Sequence, residues 1–457
     1  MSRSASKRQI HLAAHFPGVN NQTVWTDPTA GSQIDFASFE YFARNAERGL
    51  FDYIFLAEGL RLREHRGQVH DLDVLGRPNT LAILAALAGV TEHIGLVGTL
   101  STTFNEPYEL ARQLATLDHL SGGRAGWNAV TSSDAFHGAN FRRGGYLDHA
   151  DRYTRASEFA ALSKQLWASW QEDAIVADAE TGVFLDDRGV ASVRHRTRLF
   201  DVEALFDVPA SPQGRPVIVQ AGDSADGRDF ATEHADVIFS LHTEFEDAQE
   251  FYRDVKGRLA AKGREEDSLK ILPAATFVLG DTLEEAQERS REIALAQVRP
   301  ETAITYLEQV WNRDFSGYDP DGPLPDVEPD TGPEAAQGFA NRHAAVRARI
   351  TQLREVAAAE DLSIRDLIIR LTANHTFVGT PEFVAGEIDR YVQERATDGF
   401  TVVGHVTPHG LDEFTDRVIP LLQERGSYRS SYEDGATLHD LLGLPPVHAG
   451  APAPVGS

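Results

Sequence analysis

Short apolar runs alternate with amphipathic stretches along almost the whole chain, and this alternation is the strongest constraint on the fold. Eight runs have the length and composition of buried parallel strands: Ile10–Ala14, Tyr53–Leu56, Ile94–Leu100, Ala125–Val130, Val217–Gln220, Val237–Phe239, Ile271–Leu279 and Phe400–Val403. The stretches between them predict helices over Asp35–Arg48, Pro107–Leu120, Tyr146–Trp167, Gly227–His234, Glu244–Leu259, Pro381–Arg395 and Leu411–Arg425. Eight strands that alternate with helices predict a (β/α)8 barrel of the TIM type.

Two long stretches interrupt this alternation. Residues 172–215 contain turn signals and predict inserted hairpins, whereas residues 282–376 predict further helices around a loop rich in Pro, Gly and Asp. Long ordered insertions on a barrel usually build the mouth of its site. We therefore expect one barrel domain over residues 1–445 with these two insertions, followed by a flexible tail over residues 446–457.

Charge and cysteine content exclude several functional classes. The 43 Lys and Arg residues against 69 Asp and Glu residues give a formal net charge of −26, and there is no Cys. Nucleic acid and anionic membrane surfaces need a positive protein face, and thiol catalysis needs Cys. The longest uncharged apolar run, Leu81–Val90, is too short to span a bilayer, and Met1–Gln9 lacks the apolar core of a signal peptide. We expect a soluble, cytoplasmic protein that binds neither nucleic acid nor membrane.

Polar side chains follow the predicted strands where a barrel carries its chemistry, at their carboxyl ends. They are His15, Asn20 and Asn21 after the first strand, Glu58 after the second, Thr99 with Ser101 in the third, Asn128 with Ser132 in the fourth, and Gly222 with Ser224 after the fifth. The motifs of P-loop enzymes, Rossmann dehydrogenases, zincins and α/β-hydrolases are absent from the sequence. No nucleophile is accompanied by its base, so the pattern favours an organic cofactor that performs the chemistry.

The run Gly222–Arg228 gives the most specific signal. Small residues and a hydroxyl lead directly from the fifth strand into a helix. Backbone N–H groups at such a helix N-terminus can hold a phosphate. The sequence therefore predicts a phosphate-binding turn there, with Gly222 and Ser224 as its candidates.

Several longer segments resemble one family in register. They are Ser101–Tyr108, Leu117–Ser132, Gln220–Ala231, Gly317–Pro325 and Phe377–Pro381. Over nearly the whole chain the sequence resembles the bacterial-luciferase-like flavin monooxygenases, in the branch of nitrilotriacetate monooxygenase component A and dibenzothiophene-sulfone monooxygenase. The resemblance implies the luciferase-like form of the TIM barrel.

The resemblance also implies a two-component reaction. A separate NAD(P)H-dependent flavin reductase would supply FMNH2, and O2 would add to it as a flavin peroxide that oxygenates a small xenobiotic or heteroatom-bearing compound. The family's FMN contacts then fall on Glu58, Thr99, Asn128, His149, Tyr153, Gly222 and Ser224, with Tyr153 and Ser224 at the phosphate. His15, Glu58 and Asn128 would be the catalytic groups, and relatives suggest a homodimer or homotetramer.

Some alternatives stay open. The same scaffold could cleave riboflavin as a lyase or dehalogenate an aromatic compound, and the chain could bind flavin without turnover. His11, His15, His65 and His70 superficially suggest a metal site, but the fifth and sixth strand ends hold Gln220 and Ser240 where a barrel hydrolase would add His, so we expect no metal.

Two departures from the family pattern affect the expected site. Glu58 stands where the family usually has Asp, and the segment 59–79 is shorter than in the commoner form. Both positions follow the second strand. We therefore expect the geometry at the flavin and the selection of substrate to differ there. The aromatic residues Phe16, Trp25, Phe239 and Phe377, which fall near element ends, are candidates either for a substrate pocket or for the core.

Overall fold

The computed structural model describes residues 7–20, 22–62, 64–65, 68–69, 76–132, 138, 140–141, 149–222, 224–330 and 343–447. Its barrel strands are β1 (His11–Phe16), β2 (Tyr53–Leu56), β3 (Gly95–Ser101), β4 (Ala125–Val130), β5 (Val217–Gln220), β6 (Val237–Ser240), β7 (Lys270–Leu279) and β8 (Gly399–Val403). Its helices are α1 (Phe36–Arg48), α2 (Thr80–Ala88), α3 (Pro107–Ser121), α4 (His149–Trp167), α5 (Ala225–His234), α6 (Phe245–Ala261), α7 (Leu283–Gln297), α8 (Pro300–Trp311), α9 (His343–Glu360), α10 (Ile364–Thr372), α11 (Pro381–Gln393), α12 (Ile419–Glu424) and α13 (Leu438–Leu441).

The eight strands form a closed parallel barrel. They pair in the order β6-β5-β4-β3-β2-β1-β8-β7, and β6 pairs with β7 to complete the ring. All eight pairings are parallel. The predicted (β/α)8 barrel is therefore confirmed, and because all strands run in one direction, their carboxyl ends share one face.

Side chains fill the barrel, and the C-terminal segment closes its amino-terminal end. Tyr53, Val97, Val219 and other inward-facing residues form one buried cluster with Leu438 and Leu442 of the α13 segment. The two glycines Gly95 and Gly126 leave room for Leu438, since a Cβ at either position would press against it. The core therefore leaves only the carboxyl-terminal face open for a site.

An aspartate before a strand recurs at the amino-terminal end of the barrel. Asp52, Asp236 and Asp398 directly precede β2, β6 and β8, and each accepts the backbone N–H of a residue in a neighbouring strand. Each carboxylate is also paired with a cation: Asp52 with Arg429, Asp236 with Arg215, and Asp398 with Lys256. These buried pairs fix strand register at the end of the barrel away from the site.

Three details differ from the sequence-based expectation. The α2 helix was not among the predicted helices, because its nine residues are nearly all apolar and show no amphipathic period. The predicted helix Leu411–Arg425 is broken into a 3-10 turn (His409–Leu411), a π-helical turn (Phe414–Val418) and α12, since Pro420 lacks the N–H that a continuous helix needs. A short strand, Phe377–Gly379, pairs in parallel with the last three residues of β7, Phe277–Leu279.

The two interrupting stretches have structure of their own. The first contains hairpins formed by Ile175–Asp178 with Val183–Leu185 and by Val193–Arg196 with Asp201–Ala204. The second contains α7 to α10, whose apolar faces pack around Trp311 and Phe315 in a separate cluster. The expected tail from residue 448 onward lies outside the described residues, as do Asn21, His70 and residues 146–148. No helix in the described part of the chain is long and apolar enough to cross a bilayer.

Candidate active site

Neighbouring strands bring Thr99 and Asn128 together at the carboxyl-terminal end of the barrel. The two residues are directly opposite in the pairing of β3 with β4, and both side chains are buried. The Asn128 Nδ2 donates to Thr99 Oγ1 over 2.9 Å. The Asn128 Oδ1 has no hydrogen-bond partner among the described residues, although the side chain is only 2 % exposed. A buried acceptor without a donor costs free energy, so this oxygen is suited to accept an N–H from a ligand.

Glu58 lies beside this pair, immediately after β2. Burial raises the pKa of its carboxyl group to about 7, and a hydrogen bond from the backbone N–H of Ser101 opposes that rise. Ser101 itself is at the end of β3, where its Oγ is 2.8 Å from Ser132 Oγ. Glu58 is therefore a carboxyl group that can exchange a proton near neutral pH, and perturbed groups of this kind concentrate at active sites.

His15 occupies the neighbouring strand end on β1. Its Nδ1 is 3.2 Å from the carbonyl oxygen of Phe55, and burial lowers the pKa of the imidazole to about 3, helped by the positive charge of Arg77. The His15 ring is 5.2 Å from the Phe55 ring, which in turn stacks on Phe239 at 5.7 Å. These three rings line the barrel interior near its carboxyl-terminal end. His15 is neutral at physiological pH.

A second group of predicted residues converges after β5. The Oη of Tyr153, on α4, lies 3.3 Å from Ser224 Oγ. Ser224 is the N-cap of α5, and its Oγ accepts the N–H of Gly227 at 3.1 Å. A Cβ on Gly222 would lie 3.2 Å from the Tyr153 Oη and would overlap the Gln220 amide, so the backbone here is accessible only because the residue is glycine. The result is a turn of small and hydroxyl-bearing residues at a helix N-terminus.

His149 is the first described residue of α4, four residues before Tyr153, but its side chain lies outside the described residues. The Arg228 guanidinium pairs with Asp254 at 2.8 Å and lies 4.9 Å above the Phe251 ring. His11, at the other end of β1 from His15, lies 3.1 Å from Asp52, so the two histidines do not share a site.

The four candidate aromatics divide between core and site. Phe16 and Phe377 are buried, and Phe16 stacks on Phe39 of α1. Phe239 faces the upper barrel interior, whereas Trp25 is 49 % exposed with Arg299 5.4 Å from its ring. Phe239 and Trp25 therefore remain candidates for contact with a ligand, and Phe16, although buried, lines a small pocket near the ends of β1 and β2.

Two arginines near the candidate site were not predicted from the sequence. Arg155 on α4 is buried and donates to the carbonyl oxygens of Thr102 and Asn105, so it holds the loop after β3. Arg77 lies just before α2 and donates to the carbonyl oxygen of Pro17, directly after β1. Neither belongs to a motif, and only the folded chain shows that they are near strand ends.

The donors and acceptors of this face fit a flavin mononucleotide. The unpaired Asn128 Oδ1 suits a ring N–H, and the glycine and hydroxyl turn at α5 suits a phosphate. The net charge of −26 does not prevent phosphate binding, because the helix N-terminus provides local N–H donors.

Comparison with known proteins identifies the family of the chain. The family model of luciferase-like monooxygenases matches residues 18–398. The chain therefore belongs to the luciferase-like monooxygenases, and the prediction of a flavin-dependent monooxygenase is confirmed. It is 38 % identical over 448 residues to N-acetyl-S-(2-succino)cysteine monooxygenase of Bacillus subtilis (strain 168), covering 96 % of this chain and 98 % of that one.

The chain is also similar to a second characterised monooxygenase and to a solved structure. The chain is 36 % identical over 434 residues to nitrilotriacetate monooxygenase component A of Aminobacter aminovorans, covering 92 % and 93 % of the two chains, which confirms the branch that the sequence resembles. A crystal structure of riboflavin lyase RcaE with modified FMN and riboflavin superimposes with a TM-score of 0.79 at 30 % identity, covering 96 % of this chain and 97 % of that one.

Proposed function

We propose that this protein is the oxygenase component of a two-component system. A separate NAD(P)H-dependent flavin reductase supplies reduced FMN, and the barrel uses it with O2 to oxygenate a small xenobiotic or heteroatom-bearing organic compound. The observation that carries the FMN assignment is the turn of Gly222, Tyr153 and Ser224 at the α5 N-terminus. The words "component A" in the name of one relative support the separate reductase.

The residues of the site have distinct roles in this proposal. Tyr153, Ser224 and the backbone at Gly222 hold the phosphate, with His149 at the start of α4. Asn128, fixed by Thr99, accepts a hydrogen bond from the ring system. Bound reduced FMN supplies the electrons that activate O2.

Proton transfer and exclusion of water fall to the remaining groups. Glu58, with a pKa of about 7, holds or releases a proton at its carboxyl oxygens beside the ring. Neutral His15 offers a ring nitrogen to the substrate side, since its Nδ1 already faces the Phe55 carbonyl. The helices α7 to α10 act as a cover that keeps water from the reacting groups.

A comparison of FMN with riboflavin tests the phosphate turn. Quenching of flavin fluorescence gives the dissociation constants for both ligands with wild-type protein, Tyr153→Phe and Ser224→Ala. We expect each variant to weaken FMN binding about tenfold, the effect of one lost hydrogen bond to a charged group, and to leave riboflavin binding nearly unchanged. Ser157→Ala on the same α4 helix serves as a control, because that hydroxyl contacts His234.

Oxygen consumption tests the reaction itself. With photoreduced FMN and a panel of organosulfur, aminopolycarboxylate and haloaromatic compounds, an oxygenase forms an oxygenated product in step with O2 uptake. Equal affinity for FMN and riboflavin would contradict the phosphate turn. Release of hydrogen peroxide as the only product with every compound would contradict the oxygenase assignment.

Riboflavin cleavage is the second candidate function, favoured by the similarity to riboflavin lyase RcaE. A mixture of the protein, reduced FMN, O2 and riboflavin would then yield lumichrome, which is separated from riboflavin by chromatography. Formation of lumichrome at a rate that depends on the protein would favour the lyase over an oxygenase of other compounds.

A further inference from the structure

A small pocket opens beside the flavin site, where β1 and β2 end. Phe16, Leu56 and Ile83 form its apolar side, and Gln33 and Arg77 form its polar side. Its free space corresponds to about one or two water molecules, the size of a single polar head group.

Arg77 is an unusual cation in this chain. Its only hydrogen bond to a described residue is from Nη2 to the Pro17 carbonyl oxygen, over 2.8 Å, and no described carboxylate lies within 4.0 Å of it. Most of its donor fork therefore remains available, in a chain with 69 acidic residues. Burial alone lowers the pKa of Arg77 to about 10, so it stays charged at neutral pH.

The pocket lies next to the candidate active site, since its lining residues Phe16 and Ala57 directly adjoin His15 and Glu58 in the chain. Arg77 lies close enough to His15 to lower the pKa of that imidazole, and a Cβ on Gly59, next to Glu58, would be 3.9 Å from the Arg77 Cβ. The guanidinium thus lies on the β1–β2 side of the barrel, whereas the proposed phosphate turn follows β5. A desolvated guanidinium fork that has no acidic partner among the described residues is matched by a carboxylate, which accepts two parallel N–H bonds.

We propose that Arg77 binds a carboxylate of the substrate, which makes the substrate an organic acid whose oxidised part lies over the flavin. This inference rests on the proposed function, because the flavin defines where the oxidised part must lie. The small head-group space and the apolar wall of Phe16 and Leu56 suit a carboxylate carried on a short chain. A neutral compound of the same shape would leave the guanidinium unpaired and desolvated, and so would bind more weakly.

Calorimetric titration with thiodiacetate, a thioether dicarboxylate, and with its uncharged dimethyl ester tests the proposal. The full-length chain is titrated both without flavin and with FMN bound, so that carboxylate binding is measured even if FMN binding fails. We expect thiodiacetate to bind at least about tenfold more tightly than the ester, and Arg77→Gln to remove that difference. Arg77→Lys should restore part of it, since the charge remains but the fork is lost.

The matched control is Arg112→Gln, because Arg112 is an exposed cation on α3 that pairs with Glu109. Thermal unfolding without ligand accompanies each titration, so that any destabilisation from loss of the hydrogen bond to the Pro17 carbonyl oxygen is measured separately from ligand binding. Equal binding of diacid and diester would overturn the proposal, as would a preference that survives in Arg77→Gln or an equally strong response to sulfate. If FMN binds and O2 is consumed while any of these results is obtained, the proposed function stands and the substrate class is wrong.

Discussion

The raised pKa of Glu58 predicts that this side chain destabilises the flavin-free protein as the pH rises. Its carboxyl group has a pKa of about 7 in the folded chain against the usual 4.5. Below pH 4.5 both states are protonated and the group has no effect. Between pH 4.5 and 7 the unfolded chain releases the proton first, so stability falls with rising pH, and above pH 7 the loss is complete.

The size of this loss follows from the difference between the two pKa values. At about 1.4 kcal/mol for each tenfold change in the equilibrium constant, the difference corresponds to about 3 kcal/mol. Since Glu58 is partly exposed, solvent screening reduces the expected effect to about 1–3 kcal/mol. Glu58→Gln removes the ionisable group and keeps the shape of the side chain.

Urea unfolding of the flavin-free wild type and Glu58→Gln at pH 5 and pH 8 measures this effect. We expect the variant to match the wild type closely at pH 5 and to be more stable at pH 8. Glu250→Gln, on the exposed face of α6, controls for the change in net charge. A difference between Glu58→Gln and wild type that is the same at both pH values would refute the reasoning, because it would show that the carboxyl group does not titrate between them.

Three other substitutions test separate parts of the structure. Gly222→Ala should weaken FMN binding at least about tenfold, measured by fluorescence quenching, because the added Cβ meets the Tyr153 Oη and the Gln220 amide. Asn128→Leu should weaken binding of FMN and riboflavin alike, since the proposed role of Asn128 is a contact to the ring and not to the phosphate; an effect on FMN alone would contradict this. Asp236→Asn should destabilise the fold by about 3–5 kcal/mol in urea at pH 7, because it leaves Arg215 buried without its charge partner. In the wild type, the lowered pKa of Asp236 means that this stabilisation is present above about pH 4 and is lost as the pH falls further.

The sequence was sufficient for the barrel because each strand is a short apolar run between clear helix signals. All eight predicted strands form, with boundary shifts of at most two residues. The helix predicted from Pro381 begins at that residue, and the Thr380 hydroxyl caps it by accepting the N–H of Phe383. By contrast, α2 was not predicted because it is apolar on all sides. The π-helical turn was not predicted because the helical pattern continues through Pro420, whose missing N–H interrupts the helix.

For the candidate site, the sequence predicted which residues share one face of the barrel, because strand direction alone determines that. Glu58, Thr99, Asn128 and Ser224 could be expected on one face without knowledge of the strand order. Each of them lies near or just after the carboxyl end of a parallel strand. Their mutual contacts could not be predicted, because these depend on register: Thr99 lies opposite Asn128 only through the pairing of β3 with β4. The proposed role of Arg77 could not be predicted from the sequence. It depends on the lack of an acidic partner among the described residues, and no local sequence pattern reveals that.

The distribution of paired charges is compatible with the proposed binding of anions by a chain of net charge −26. At the amino-terminal end of the barrel, the three strand-start aspartates are paired with buried cations, so those charges largely cancel. At the carboxyl-terminal face the chain presents instead the N–H groups of α5 and the guanidinium of Arg77. Surface carboxylates more than about 8 Å away are screened at physiological ionic strength, whereas a buried donor in direct contact with an anion is not. The proposed anion binding at this face therefore depends on a few local groups, and removal of one of them should change affinity far more than the removal of many surface charges.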